Sequence, residues 1–100
     1  MTIETTQQDQ QIIVTVKGRI DTNTSPQLQS AVLAAFQQSK AVELDLREVD
    51  YVSSAGLRVF LIGQKTAASK GGTMTLAHVQ PTVMQVFTAV GLAPLLTFLG

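Results

Sequence analysis

Cysteine is absent from the chain, and with it go disulfides, thiolate nucleophiles and the commonest zinc sites. Tryptophan is absent as well, and one tyrosine with four phenylalanines is too little for a base-stacking surface. Charge is sparse: only 14% of residues are charged, and seven Lys and Arg balance seven Asp and Glu. These charges fall singly rather than in a basic stripe, so the electrostatic footprint of a direct nucleic-acid binder is missing. No glycine-rich phosphate loop of the Walker or dinucleotide type occurs. Residues 1–10 are polar and lack both the basic start and the apolar core of an export signal or membrane span. A cytoplasmic protein without membrane insertion is expected.

What is there is a chain of 100 residues, 45% of them apolar. That suffices for one hydrophobic core and leaves no room for a catalytic domain beside a regulatory one, so residues 1–100 are expected to form a single domain. Residues 11–17 alternate Ile12, Val14 and Val16 against Ile13, Thr15 and Lys17, the period of a half-buried strand. Residues 3–6 are a candidate partner strand, with residues 7–10 as the hairpin loop. Residues 18–24 are rich in turn formers. Thr24 followed by Gln27 has the spacing of a capping box, Pro26 suits a first helical turn, and Leu28, Val32, Ala35 and Phe36 make an apolar stripe for a helix to residue 39.

Residues 41–46 alternate again as a strand, residues 47–51 read as a loop, and residues 54–70 as a deeply packed helix stopped by Gly71 and Gly72. Residues 73–77 predict another strand and residues 81–90 a third helix ended by Gly91. The apolar tail, residues 95–99, fits an edge strand or a single turn. The order of elements gives an α/β layer, a mixed sheet of four to five strands covered by about three helices.

The segment Asp50-Tyr51-Val52-Ser53-Ser54-Ala55-Gly56-Leu57-Arg58 puts two adjacent hydroxyls where the most apolar helix must begin. A helix N-terminus leaves backbone donors unpaired and carries about half a positive charge, so a phosphate attached there meets ready hydrogen bonds. Gly in a first turn costs about 1 kcal/mol relative to Ala, and backbone access for an incoming group is one reason to place it there. The plainer reading is that Ser53 or Ser54 is an N-cap.

Asp45-Leu46 followed by Val52-Ser53-Ser54-Ala55-Gly56-Leu57 resembles the phosphorylation segment of STAS-domain anti-sigma factor antagonists. Gly18-Arg19-Ile20-Asp21, Lys70-Gly71-Gly72 and Val86-Phe87-Thr88-Ala89-Val90-Gly91-Leu92 match further stretches of that family in order, so the resemblance spans nearly the whole chain. It implies a STAS-like domain, with Ser54 as the phosphorylated residue because it stands two before the Gly. Ser53 sits where many members carry Asp and is left as the cap or as the modified residue. Arg58 stands where a Gly is common. Asp21, Thr22, Thr24, Ser53, Ala55, Gly56 and Arg58 are the implied partner-binding positions. The implied cycle is binding to an anti-sigma factor that is also a serine kinase, release on phosphorylation, and restoration by a phosphoserine phosphatase. A monomer or weak dimer is expected, with the third-helix edge more exposed than in members that continue into another helix.

Asp21 is also an ordinary turn former, and that role competes with the functional one. His78, the sole histidine, has no nucleophile motif around it, so a hydrolase built from Ser54 and His78 is disfavoured. Asp45, Glu48 and Asp50 give no reason to converge on a cation, and no catalytic residue, metal or cofactor is assigned. A STAS regulator of a transporter, a cyclase or another signalling partner, and a nucleotide-binding STAS domain, are the alternative functions.

Overall fold

The computed structural model describes residues 1–99. The alternating segment forms β2 (Gln11–Lys17), with Ile12, Val14 and Val16 buried on one face. It pairs antiparallel with β1 (Thr2–Gln8), which is longer than the sequence predicts. Gln8 pairs with Gln11, so the expected four-residue loop shrinks to Asp9 and Gln10, and Asp9 takes the left-handed φ of 57° that such a tight turn demands. The Gln run has little strand propensity of its own, and cross-strand pairing overrides it.

Helix α1 (Ser25–Gln38) buries Leu28, Val32, Ala35 and Phe36, the stripe read from the sequence. The predicted capping box does not form. Thr24 is the N-cap residue, yet its hydroxyl turns away from the helix, accepting the Asp21 N–H at 2.8 Å and donating to the Arg19 carbonyl oxygen at 2.8 Å. Strand β3 (Ala41–Glu48) runs two residues past its predicted end, because Glu48 pairs with Lys17 of β2 and forms a 3.5 Å ion pair with it.

Helix α2 (Ser54–Ser69), strand β4 (Thr73–Ala77) and helix α3 (Pro81–Ala89) follow where the sequence places them. The tail takes the edge-strand alternative as β5 (Thr97–Leu99), preceded by a 3₁₀ turn at Ala93–Leu95 that meets the predicted segment only at Leu95. Helix α2 ends in a Schellman cap, with Gly71 at φ 69°, Gly72 N–H donating to Ala67 O at 2.8 Å and Gly71 N–H to Ala68 O at 3.2 Å.

The sheet order is β1-β2-β3-β4-β5, antiparallel at the first pair and parallel thereafter. Each crossover steps in the same direction across the sheet, and right-handed connections then put α1, α2 and α3 on one face. Phe60 of α2 meets Phe87 of α3 edge to face at 5.2 Å, and Phe98 of β5 lies 5.9 Å from Phe87. A single core cluster joins the helices to the buried strand residues. The opposite face carries Ile13, Thr15, Glu43, Asp45 and Thr75, each only part-buried. The carboxyl ends of β2, β3 and β4 deliver their loops to one rim of the sheet, the edge at which parallel α/β sheets present their sites.

Candidate functional site

Two of those loops are stitched together. Ile20 N–H donates to the Tyr51 carbonyl oxygen at 2.9 Å, and Ser53 N–H donates to the Ile20 carbonyl oxygen at 2.8 Å, which makes Ile20 and Val52 an isolated parallel bridge. Ile20 is fully buried beneath the start of α2. The segment after β2 is thereby fixed against the segment that launches the serine-bearing helix.

Ser53 is the N-cap of α2. Its hydroxyl accepts the Gly56 N–H at 3.3 Å, and its carbonyl oxygen accepts the Leu57 N–H at 2.9 Å. Ser54 is the first helical residue and its side chain is exposed. The N–H groups of Ser54 and Ala55 have no protein acceptor among the described residues, as the start of a helix requires. The first turn holds no acidic side chain. The two hydroxyls left open by the sequence are now distinguished, one closing the helix and the other facing solvent.

Gly56 is buried, and the reason for glycine differs from the predicted one. A Cβ here would lie 2.6 Å from Ile20 Cγ2 and 2.9 Å from Val52 Cγ1, so glycine lets the stitched loops pack under the helix. It makes no room on the outer surface, where an incoming group would approach. As one of the positions expected to touch a partner, Gly56 shapes the surface from beneath and offers none of its own.

Asp21 folds its own loop. Its Oδ1 accepts from Asn23 N–H at 2.9 Å and Thr24 N–H at 3.0 Å, and at 3.1 Å it shares the single Thr24 hydroxyl proton with the Arg19 carbonyl oxygen. Its carbonyl oxygen accepts Ser25 N–H and the Ser25 hydroxyl at the start of α1. The backbone N–H of Thr24 does most to hold the Asp21 carboxyl below its ordinary range; desolvation, next in size, opposes it, and the Thr24 hydroxyl, the Asn23 N–H and the charge of Arg19 add to the lowering. Thr24 is thus spent on loop geometry. Thr22 is exposed and lines, with Ala55 and Arg58, a groove of about 330 Å³ between the first turns of α1 and α2. The structure therefore brings Thr22, Ala55 and Arg58 together, beside exposed Ser54.

One feature of the rim escapes the sequence: the Arg19 guanidinium stacks 4.0 Å over the Tyr51 ring, joining the two loops from outside. The pair is far apart in sequence, and no local pattern links them. His78 sits at φ 56° on the same rim, where its Nε2 accepts a 2.9 Å hydrogen bond from Arg47 Nη2. No hydrogen bond joins His78 to Ser54 among the described residues. Asp45 accepts the Arg47 N–H and Glu48 pairs with Lys17, and no group of three or more His, Asp or Glu side chains converges on a cation among the described residues.

A family model described as Mlab, STAS domain, matches residues 3–97. The chain belongs to the STAS-domain family. Among its STAS relatives, BtrV of Bordetella bronchiseptica is 33% identical over 84 residues, covering 83% of this chain and 72% of BtrV. The anti-sigma F factor antagonist of Paenibacillus polymyxa is 31% identical, covering 81% of this chain and 71% of that protein. The fold superposes on the anti-sigma factor antagonist SpoIIAA, solved unphosphorylated and phosphorylated, with TM-scores of 0.81 and 0.75. Sequence identity to those two structures is 19% and 18%, each alignment covers 99% of this chain, and 89% and 92% of SpoIIAA is covered. No helix of this STAS domain is long and apolar enough to cross a membrane among the described residues.

Proposed function

We propose that this STAS domain, acting as one unit over residues 1–100, is a phosphorylation-controlled anti-sigma factor antagonist in the cytoplasm. Unphosphorylated, it binds an anti-sigma factor that is also a serine kinase and so frees a sigma factor. Phosphorylation at Ser54 ends that binding, and a phosphoserine phosphatase restores it. The observation that carries this reading is the division of labour at α2: Ser53 closes the helix, which leaves Ser54 exposed at its first position on the rim next to Thr22, Ala55 and Arg58. The anti-sigma factor antagonists among its relatives support the same role.

A phosphoserine there adds about −1.5 to −2 charges to a surface that must pack against a partner. A loss of about 1.4 kcal/mol already weakens an affinity tenfold, so a local clash switches the complex without refolding the domain. Asp21, Thr22 and Thr24 contribute to the same surface, Asp21 and Thr24 by holding the loop in shape and Thr22 by direct contact. The test is incubation of the purified protein with ATP and serine kinases from its source cells, followed by tandem mass spectrometry. Phosphate on Ser54, lost in Ser54→Ala, is the expected result. Phosphate on Ser53 or away from the α2 start overturns the assignment.

A further inference from the structure

Arg58 follows Ser54 by four residues on α2, and both side chains are exposed. Residues spaced by four lie on one helical face, and an anion placed N-terminal to its cation is the favoured order of such a pair. The guanidinium has no carboxylate within ion-pair distance among the described residues, where Lys17 and Glu48 make the salt bridge found. The first turn of α2 holds no acid, and Thr22, Gln29 and Ser30, which share the groove with Arg58, are uncharged. The Asp21 carboxylate is engaged within its own loop. Arg58, the fifth residue of α2, therefore has no charge partner among the described residues in the unmodified protein.

We propose that Arg58 is a positioning residue for the phosphate of phosphorylated Ser54, gripping it across one helical turn. The inference rests on the reading of Ser54 as the modified residue and adds how the modified state is held. A guanidinium presents a planar fork matched to phosphate oxygens, which an ammonium does not. Gripping the phosphate favours its dianion, orients it along α2 and obliges a phosphatase to displace the arginine before it reaches the phosphorus. Arg58 thus sets how long the released state lasts, while the hydroxyl decides whether it arises.

The test installs phosphoserine at position 54 of the full chain by genetic code expansion and follows its second ionisation by phosphorus NMR. The phosphate should titrate roughly 0.2–0.4 unit lower in the parent protein than in Arg58→Ala, with Arg58→Lys between them. The gap should narrow at about 1 M salt, where the screening length falls to about 3 Å. A nonspecific alkaline phosphatase should remove the phosphate several-fold faster from Arg58→Ala. Identical titration curves for the parent and Arg58→Ala overturn the proposal. Because the phosphate is installed directly, this result is independent of cellular modification: a shifted titration with Ser54 unmodified in cells would sink the function above and leave the pairing intact.

Discussion

Ile20 occupies the space that a side chain at Gly56 would need: a Cβ added there would stand 2.6 Å from Ile20 Cγ2. Gly56→Ala gains about 1 kcal/mol of helix propensity but must push apart two buried β-branched side chains, at a cost of about 1–3 kcal/mol. Net destabilisation is expected in urea unfolding. In a double-mutant cycle with Ile20→Ala, which removes the clashing methyl, the two losses should be clearly less than additive. Additive losses would show that the clash is relieved elsewhere.

The neighbouring serines should separate cleanly. Ser53→Ala removes the cap, and since its 3.3 Å bond to Gly56 N–H is long, the loss should sit near the low end of the usual range, about 0.5 kcal/mol. Ser54→Ala removes an exposed hydroxyl and should leave the unfolding midpoint within experimental scatter while abolishing phosphorylation. Equal stability losses in the two variants would contradict the assignment of the cap.

Asp21 gives the domain an acid-sensitive loop. Its carboxyl is held below its ordinary value, mainly by the Thr24 N–H, so the folded state favours the ionised form. The stabilisation is therefore complete above the unfolded value near 3.8 and is lost as pH falls through the lower folded value. Asp21→Asn keeps an oxygen able to accept the same bonds but cannot titrate. Its melting temperature should fall less steeply than that of the parent protein below about pH 4. Parallel curves would remove Asp21 from the acid response.

Gly71 and Gly72 look alike in sequence and should behave differently. Gly71 has a left-handed φ with open space around it, so Gly71→Ala should cost about 1–2 kcal/mol from backbone strain alone. Gly72 lies against the Lys40 carbonyl oxygen, where a Cβ collides with backbone that also accepts the Thr73 N–H at 2.8 Å. Gly72→Ala should be clearly the more damaging of the two in thermal melts, and the reverse order would refute this reading.

The elements whose signals are periodic were legible in the sequence: β2 from Ile12, Val14 and Val16, α1 from Leu28, Val32, Ala35 and Phe36, and the stop of α2 from paired glycines. Features that depend on a distant partner were not. Residues 7 and 8 become strand because Ile12 and Gln11 lie opposite, and β3 reaches Glu48 because Lys17 waits there. Thr24 fails for a nearer reason: it has the spacing of a capping box, but within its own turn the Asp21 N–H and the Arg19 carbonyl compete for its hydroxyl and win. At the site, the serine pair was visible as a helix start, while which serine closes the helix and why Gly56 is glycine rest on Ile20, far back in the chain.

The β1–β2 hairpin also has a practical side. Strand β2 runs from the Asp9-Gln10 turn toward the loop that holds Asp21, so the turn lies at the end of the sheet away from Ser54. Met1 lies instead beside Gly18, where a Cβ on the glycine would come within 3.4 Å of Met1 Cα. A fluorophore or affinity handle grafted into the turn would therefore report on the molecule without crowding the serine, whereas one joined ahead of Met1 would start from the same end of the sheet as the Asp21 loop.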